Sequence, residues 1–513
     1  MNRRCFLKNR ALSMGVILLV GCAGSKSQLL AQDLEKTRPN IVYILADDMG
    51  YGDASCLNKD SKIHTPNLDE LAKAGMIFTD AHSGSAVCTP TRYGILTGRY
   101  CWRSRLKRGV LNGASPHLIE DGRMTVASML KPQGYHTACI GKWHLGLDWQ
   151  KQTDAPKEID FAQPVKHGPT TNGFDYSFII PASLDMAPYV YLENDRVTAA
   201  PDRTVNASGG KKMWRKGLIG ADFKHIEVLP KITEKAVFYI DQRAKGKEPF
   251  FLYFPLPAPH TPILPTEEFQ GKSGTNEYGD FVLQVDWTVG QVMKALKRNG
   301  LEENTLIIFT SDNGCSNKAD FEELAQFDHD PSYVFRGHKA DIFEGGHRIP
   351  FITRWPARIA AGVECADTIC LTDLMATAAE IAGDTLPDNA AEDSVSFLPN
   401  LLGTATAPVR EATVHHSING SFSIRQGKWK LELCPGSGGW SDPKPKSEAA
   451  KQLPAVQLYD LSSDVGEITN LQAKHPDVVK RLTALLQDYV DRGRSTPGTP
   501  QKNNGQVNIA PQQ

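Results

Sequence analysis

The stretch NIVYILADD, residues 40–48, consists mainly of β-branched, aromatic and aliphatic side chains and ends in two aspartates. Apolar runs without polar alternation are typical of strands that are buried on both faces of a parallel sheet. The stretch therefore predicts an interior strand of an α/β domain, with Asp47 and Asp48 at the point where that strand emerges.

Three later segments repeat this arrangement of an apolar strand followed by polar, chemically capable residues. They are 136–140 followed by Lys142 and His144, 249–254 followed by His260, and 305–310 followed by Asp312 and Asn313. A solvated loop or a capping residue would explain any one of them alone. Because open α/β sheets bind ligands at the carboxyl ends of their strands, the four segments together predict a shared site at one edge of the sheet.

Helical patterns alternate with these strands. The segments 66–74, 125–131 and 281–297 are predicted helices, and the last has apolar residues at helical spacing and is closed by Gly300. Alternating strands and helices predict an α/β domain with a mostly parallel sheet, which we place at residues 38–407.

The pattern changes near Pro408. The predicted elements beyond it are strands at 421–425, 428–433 and 456–461 and a helix at 477–489. Gln426 and Gly427 separate the first two strands as the turn of a hairpin. We therefore expect a smaller α+β domain at 408–495, followed by a disordered polar tail at 496–513.

The composition is that of an ordinary globular protein. The 513 residues include 41% hydrophobic and 22% charged side chains, and the formal net charge is -1. This balance gives no reason to expect a nucleic-acid partner. The ten cysteines form neither zinc-type C-x-x-C spacing nor a dense disulfide framework. Cys365 and Cys370 could pair with each other, although free thiols are the simpler interpretation.

Residues 1–31 have the features of an export signal and are excluded from the fold. Arg3 and Arg4 resemble a twin-arginine signal, and the apolar run that follows is too short to span a bilayer comfortably. LVGC at residues 19–22 also resembles a bacterial lipobox. The sequence leaves open whether Cys22 becomes a lipidated N-terminus or whether cleavage further along releases a periplasmic protein. In both cases we expect export to the periplasm or the cell envelope of a bacterium, with contact to a membrane only through Cys22.

The stretch SAVCTPTRYGILTG, residues 85–98, has the features of a helix start. Thr89 can cap the N-terminus, and Pro90 suits the first helical position because it lacks an N–H. Cys88 would then lie at the positive end of the helix dipole, with Arg92 one turn further on. A thiol, free backbone N–H groups and a guanidinium together suit a tetrahedral oxyanion.

Three motifs resemble, in this order, those of the formylglycine-dependent type I sulfatases of the alkaline phosphatase superfamily. They are C-x-P-x-R at 88–92 with LTG at 96–98, GYHTACIGKWHLG at 134–146, and GHKADIFEGGHRIP at 337–350. The resemblance runs from residue 40 to about residue 356. It implies an arylsulfatase-like sulfuric ester hydrolase with a large mixed, mostly parallel sheet flanked by helices, as in alkaline phosphatase, and a smaller C-terminal domain.

Asp47, Asp48, Asp312 and Asn313 offer only oxygen ligands, which favours a hard cation. We expect one calcium ion, with magnesium as the alternative, because carboxylate-rich sites suit the larger and more flexible coordination shell of calcium. In the sulfatases that the chain resembles, the matching residues bind calcium together with an oxygen of the modified cysteine, here residue 88.

The resemblance also implies catalytic roles. A maturation enzyme would convert Cys88 to formylglycine (3-oxoalanine), one hydroxyl of whose hydrate attacks sulfur. His144 would help to deprotonate the other hydroxyl, which then expels sulfate, and His260 would protonate the leaving alkoxide. The groups that would stabilise the charge on the sulfuryl oxygens are Arg92, Lys142 and Lys339, of which Lys339 holds the sulfate.

Sulfated glycans are the substrates that the resemblance implies, with a terminal galactose- or N-acetylgalactosamine-type 6-sulfate as the specific expectation. The segment 100–108 places four basic residues beside a tryptophan and predicts either a sugar-binding surface or a solvated basic face. Weaker candidates for substrate contacts are Arg99, Trp214, His415 and His416.

Two other functions stay open at this stage. A phosphodiesterase or phosphonate monoester hydrolase of the same superfamily would share the metal carboxylates and can also use formylglycine. A non-catalytic glycan-binding relative is the second alternative, although Cys88, His260 and Lys339 have no use in a protein that only binds.

Overall fold

The computed structural model describes residues 38–155 and 158–510. The predicted export signal, with Arg3, Arg4 and Cys22, lies outside the described residues. Within the described ranges no helix combines the length and the apolar character that are needed to cross a membrane.

The elements are numbered here in chain order. The strands are β1 Asn40–Asp47, β2 Met76–Phe78, β3 Ala81–His82, β4 His136–Lys142, β5 Tyr176–Ile180, β6 Leu192–Glu193, β7 Arg196–Val197, β8 Pro201–Val205, β9 Gly217–Gly220, β10 Phe250–Pro259, β11 Thr305–Ser311, β12 Phe351–Arg354, β13 Val363–Cys365, β14 Ile369–Cys370, β15 Thr413–His416, β16 Phe422–Gln426, β17 Trp429–Glu432 and β18 Gln457–Asp460. The α-helices are α1 Pro66–Lys73, α2 Cys88–Thr97, α3 Val126–Leu130, α4 Val228–Arg243, α5 Glu277–Arg298, α6 Phe321–Ala325, α7 Glu344–His347, α8 Leu374–Ala382, α9 Leu398–Leu401, α10 Glu448–Lys451 and α11 Pro476–Asp491.

In the described part of the chain, ten strands form the main sheet in the order β13-β2-β12-β11-β1-β10-β4-β5-β6-β7. The central strands β11, β1, β10, β4 and β5 are parallel to one another. Antiparallel pairs lie toward the two edges, where β12 pairs with β11 and β2, and β6 pairs with β5 and β7. The predicted mixed, mostly parallel sheet is confirmed.

Strand β1 explains why its sequence lacks polar alternation. Tyr43 and Leu45 face a core shared with α2, α3 and α8, whereas Val42 and Ile44 face a second core shared with α1, α4 and α5. Both faces of the strand are therefore covered by helices, and every residue of β1 is buried.

The C-terminal region contains a separate antiparallel sheet in the order β15-β16-β17-β18, with α11 packed on it. The predicted smaller α+β region is confirmed in its architecture. Tyr100 and Trp102 from the first region join its hydrophobic core, so the two regions share a packed interface. All cysteines of the described residues are free thiols, including Cys365 and Cys370.

Residues 496–510 differ from the expected disordered tail. Asn503 accepts a hydrogen bond from Arg103 at 3.0 Å and donates one to the carbonyl of Val490 at 2.7 Å. Ile509 is buried against the C-terminal core. These contacts offset the entropy of ordering the segment, and its polar composition gives no sign of them because the partners are remote in sequence.

Candidate active site

The predicted site residues meet at the carboxyl edge of four adjacent parallel strands. The sheet order β11-β1-β10-β4 brings the ends of these strands side by side. Asp312 follows β11, Asp47 ends β1, His260 follows β10 and Lys142 ends β4. The convergence that the strand-end pattern predicts is therefore present in the fold.

Helix α2 brings Cys88 to this edge. The helix begins at Cys88 itself, with Val87 at the extended N-cap position, two residues earlier than a Thr89 cap implies. The Thr89 hydroxyl instead accepts a hydrogen bond from the backbone N–H of Leu111 at 3.2 Å. Cys88 is 2% exposed and still lies at the positive end of the helix dipole.

Three buried carboxylates are paired with three buried cations in the site. Arg92 donates to Asp312 at 2.7 and 3.0 Å, and its guanidinium lies 3.5 Å from Asp47. Lys142 donates to Asp47 at 2.7 and 2.8 Å. Lys339 donates to Asp48 at 2.6 and 2.8 Å. The charges of these buried side chains therefore balance one another.

The oxygen-bearing residues fit a metal ion. Ligand atoms of Asp47, Cys88 and Asp312 all lie within 4.8 Å of one another. Asn313 donates its amide N–H to Asp48 at 2.7 Å, whereas its Oδ1 is buried without a hydrogen-bond partner. A buried carbonyl oxygen that lacks a donor is costly, and a hard cation is a suitable partner for it.

The carboxylates differ in their affinity for protons. Burial, and next the Asp47 carboxylate, raise the pKa of Asp312 to about 6, although Arg92 opposes the increase. Burial acts in the same direction on Asp47, but Lys142, His260 and Arg92 outweigh it and hold the pKa of Asp47 well below its usual range. A divalent cation would stabilise the ionised form of both groups.

His144 is held as a neutral ring. Its Nε2 donates to the carbonyl of Leu111 at 2.8 Å, and its Nδ1 lies 3.5 Å from the hydroxyl of Ser183. Burial, followed by the nearby charge of Lys142, lowers the pKa of His144 well below its ordinary value. Because the carbonyl can only accept, the Nδ1 of His144 keeps a lone pair that can take a proton.

His260 and Lys339 close the site from two further loops. The Nδ1 of His260 donates to the carbonyl of Thr261 at 2.6 Å, and its Nε2 lies 3.6 Å from Asp48. The backbone N–H of the residue after Lys339 donates to the carbonyl of Ala86 at 2.8 Å. This bond ties the lysine-bearing loop to the segment that carries Cys88.

The weaker substrate candidates contact residues other than the carboxylates and cations just described. Arg99 is 1% exposed and its guanidinium contacts Glu392 at 3.1 Å. His415 and His416 are buried in β15, and Trp214 stacks on His225 with 4.7 Å between the ring centroids.

The basic segment 100–108 is only partly a surface. Arg103 is fully buried and paired with Asp393 at 2.8 Å, so it serves the packing of the two regions. Lys107 and Arg108 line a surface groove together with residues near the C-terminus. Arg103 therefore belongs neither to a sugar-binding surface nor to a solvated basic face.

Two supporting side chains were not predicted from the sequence. Ser183 contacts His144, as described above, and His329 Nε2 lies 2.9 Å from the buried Asp53 carboxylate. That carboxylate accepts the N–H of Gly50 at 2.7 Å and so fixes the loop after Asp48. Asp53 lies close to Asp47 and Asp48 in the sequence, which is a weak indication of a supporting role. Ser183 and His329 lie in loops whose sequence has no pattern that predicts such a role.

Comparison with known proteins gives a consistent result. The family model described as "Sulfatase" matches residues 39–384. An N-acetylgalactosamine-6-O-sulfatase from Bacteroides thetaiotaomicron is 36% identical over 519 residues, covering 93% of this chain and 98% of that protein. Human arylsulfatase A is 33% identical over 492 residues, covering 91% of this chain and 90% of that protein.

A solved structure gives the same likeness in three dimensions. It comes from work on glycosaminoglycan metabolism by Bacteroides thetaiotaomicron and has a TM-score of 0.76 and 35% sequence identity to this chain. The match covers 88% of this chain and 99% of that structure.

Proposed function

The chain belongs to the sulfatase family, and from that premise we propose that it hydrolyses sulfate monoesters on glycans at the site formed around Cys88. The observation that carries the proposal is the grouping of Asp47, Cys88 and Asp312, whose ligand atoms lie within 4.8 Å of one another beside Lys142 and Lys339. A sulfate ester is an anion, and an anionic substrate needs fixed positive charge at the reacting centre.

Asp47, Asp48, Asp312 and Asn313 would hold one calcium ion together with residue 88. Their oxygen donors, and the orphaned Oδ1 of Asn313 in particular, support this assignment over a soft metal. The ion would supply Lewis-acid stabilisation of negative charge on the sulfuryl oxygens.

Residue 88 would act after conversion of its cysteine to formylglycine, whose hydrated aldehyde supplies the nucleophile. The first turn of α2 orients this side chain at the positive end of the helix dipole, where an anion is stabilised. Arg92 projects from the same helix and donates to Asp312, so one helix carries the nucleophile and a cation that holds one of the carboxylates.

The remaining residues would move protons and stabilise charge. Lys142 and Lys339 place ammonium groups beside the carboxylates, where they would also attract the sulfuryl oxygens. His144 would accept a proton from residue 88 on its Nδ1, since its Nε2 is committed to the carbonyl of Leu111. His260 would donate a proton from Nε2 to the leaving oxygen.

The named relatives support a glycan substrate. The Bacteroides thetaiotaomicron relative that is 36% identical acts, by its name, on N-acetylgalactosamine 6-sulfate. We therefore propose a 6-sulfated N-acetylgalactosamine or galactose residue as the group that this chain desulfates.

Sulfate and phosphate esters of the same aryl alcohol provide the first test. We expect sulfate release to dominate, and Cys88→Ala to abolish it, because the alanine variant cannot form the nucleophile. Dominant phosphodiester turnover would replace the proposal with the phosphodiesterase or phosphonate hydrolase alternative. A second comparison, of 6-sulfated with 4-sulfated N-acetylgalactosamine, tests the substrate: equal rates would contradict the 6-sulfate assignment alone.

We also propose that the chain is modified and folded before export. Arg3 and Arg4 support this order, because a twin-arginine signal carries folded proteins. Replacing both arginines with lysine is expected to keep the protein, with residue 88 already modified, inside the cytoplasm. Undiminished export of that variant would contradict the proposed route, and lipid on residue 22 would identify a cell-envelope form.

A further inference from the structure

Three buried histidines form a cluster where the C-terminal sheet meets the chain that leads to Cys88. His82 lies in β3, His347 ends α7 and His415 lies in β15. Each of these side chains is 0% exposed. One ring nitrogen of each histidine lies within 4.8 Å of those of the other two. The cluster is separate from the acidic group at the carboxyl edge of the main sheet.

The outward ring nitrogen of each histidine contacts an oxygen atom. The contacts are His82 Nε2 to Asp80 Oδ1 at 2.8 Å, His347 Nε2 to the carbonyl of Ile342 at 3.1 Å, and His415 Nδ1 to Ser423 Oγ at 3.1 Å. A carbonyl can only accept, so His347 carries its proton on Nε2. Metal-binding histidines are oriented in this way, with the second nitrogen donating to an oxygen.

Two of the inward nitrogens offer lone pairs. The Nδ1 of His347 lies 3.0 Å from the Nδ1 of His82 and keeps its lone pair, because the proton of His347 is on Nε2. The Nε2 of His415 is buried without a hydrogen-bond partner.

Charged groups of both signs surround the cluster. Arg348 and Arg425 contact Asp80 at 2.5 and 2.6 Å, and Arg425 also lies 3.0 Å from His82 Nε2. These two guanidinium groups keep the Asp80 carboxylate ionised. Glu344 Oε1 lies 3.8 Å from His347 Nε2 and is buried without a hydrogen-bond partner, with Lys430 3.2 Å away. The carboxylates thus supply negative charge near the ring nitrogens.

We propose that His82, His347 and His415 bind one zinc ion that joins the first region of the chain to the C-terminal sheet. Zinc prefers imidazole nitrogen, whereas calcium prefers oxygen, so this site and the acidic site select different ions.

Zinc binding requires a small rearrangement of two rings. The rings of His347 and His415 are stacked at 7°, with 3.8 Å between their centroids. A histidine lone pair lies in the plane of its ring, so the two rings must turn out of this stack to share an ion. A structure of the zinc-loaded protein would therefore show the stack opened.

The ion would act on the segment before Cys88. Ser85 pairs with His416 in a parallel bridge, and the N–H of Ala86 donates to the carbonyl of His416 at 3.0 Å. Fixing His415 to His82 would clamp the strand that holds this segment. The proposed role is therefore structural and does not depend on the assigned substrate.

Zinc content of the purified full-length chain tests the proposal. The protein is stripped with a chelator, incubated with zinc chloride, and dialysed against excess calcium chloride before metal analysis. We expect one zinc per chain in the wild type and in Asp312→Asn, whose change weakens only the acidic site. His347→Gln and His415→Gln should lower zinc affinity by roughly 10- to 100-fold or more. The matched control is His416→Gln, which changes the neighbouring buried histidine and should keep its zinc.

Absence of bound zinc in the wild type would overturn the proposal. Equal zinc content in the wild type and in both cluster variants would also overturn it, because the zinc would then be adventitious only. If the cluster variants do not fold, X-ray absorption spectroscopy of the zinc-loaded wild type identifies the atoms that bind the zinc. A shell dominated by nitrogen at about 2.0–2.1 Å supports the site. An oxygen-dominated shell refutes it.

Discussion

At the scale of single residues, the surroundings of Cys88 indicate that an unmodified cysteine is poorly suited to act as the nucleophile. Burial raises the pKa of the Cys88 thiol, although Lys142 and Lys339 oppose the increase. A thiol with a raised pKa is mostly protonated at neutral pH and is a poor nucleophile. The site is therefore better suited to a modified side chain than to a cysteine.

Mass spectrometry of the peptide that contains residue 88 checks this directly. We expect a mass about 18 Da below that of the cysteine peptide, because a thiol is replaced by an aldehyde oxygen. Cys56→Ser is the matched control, since Cys56 is another free thiol of the first region and should leave the modified peptide unchanged. An unmodified peptide from a fully active preparation would contradict the assignment.

Lys339 offers a second test at this scale. Lys339→Met should lower kcat roughly 10²- to 10³-fold, because in the proposed mechanism its ammonium group stabilises negative charge on the sulfuryl oxygens. Lys318→Met changes an exposed lysine on the neighbouring loop and should leave kcat near the wild-type value. Steady-state rates on an aryl sulfate measure both variants, and similar rates would remove Lys339 from the mechanism.

Residues in patterned positions could be predicted, and residues in irregular loops could not. Asp47, Lys142 and Asp312 each follow a strand whose apolar run is visible in the sequence. Ser183 and His329 lie in loops whose course depends on tertiary packing. The Thr89 cap was misplaced because the N–H of Leu111 competes for its hydroxyl.

At the scale of elements, helix α2 depends on its C-terminal glycine. Gly98 adopts φ 62° in the left-handed region, and its N–H donates to the carbonyl of Gly94 at 2.9 Å. A Cβ at this position would lie 2.9 Å from the Cα of Ala391. Both the backbone conformation and the close approach therefore favour glycine.

Gly98→Ala should destabilise the protein by about 1 kcal/mol for the left-handed backbone and by about 1–3 kcal/mol more for the close contact. Gly134→Ala is the matched control, because Gly134 also has a positive φ after a helical turn but would meet nothing within 4 Å. Urea unfolding gives the free energy of unfolding of both variants. Equal losses would show that the contact with Ala391 is relieved easily.

Element type was more predictable than element bounds. The helix predicted at 281–297 spans Glu277–Arg298, because Asn276 caps it by accepting N–H groups of Tyr278 and Gly279. Helix α4, Val228–Arg243, was not predicted, since its polar and apolar residues form a less regular stripe than those of α5. Tertiary packing on the sheet stabilises such a helix.

At the scale of the whole molecule, acid sensitivity is expected from histidines that are uncharged in the fold. His117 accepts a hydrogen bond on Nε2 from the amide of Asn172 at 2.8 Å. Burial, which outweighs the opposing effect of Asp148, lowers the pKa of His117 to about 4. The unfolded chain then binds a proton at higher pH than the folded chain does, so stability is lost as pH falls from about 6.5 toward 4.

His117→Gln should make the free energy of unfolding less dependent on pH between about 6.5 and 4, because glutamine does not titrate. His64→Gln replaces an exposed histidine and serves as the control. Urea unfolding at several pH values measures the slope for each variant. An unchanged slope in His117→Gln would mean that other groups account for the acid sensitivity.

The sequence predicted the division into two regions, but it did not predict the contacts that pack the two regions together. The hairpin signal near Gln426 and the change of pattern near Pro408 indicated a second sheet. No pattern indicated that Tyr100 and Trp102 would pack in its core or that His416 would pair with Ser85. These contacts join residues hundreds of positions apart, and local patterns carry no information about them.

The backbone bonds from Ala340 and from the strand of His416 enclose the segment before Cys88 on two sides. If a maturation enzyme converts Cys88, as proposed, a polypeptide that closes around the unconverted cysteine would shut that enzyme out, because these bonds cover the segment that it must reach. Each molecule would then be committed once, during synthesis, to being active or inert. The specific activity of a preparation would then depend on whether the host cell converted Cys88 before the chain folded. No later treatment of the folded protein would raise that specific activity.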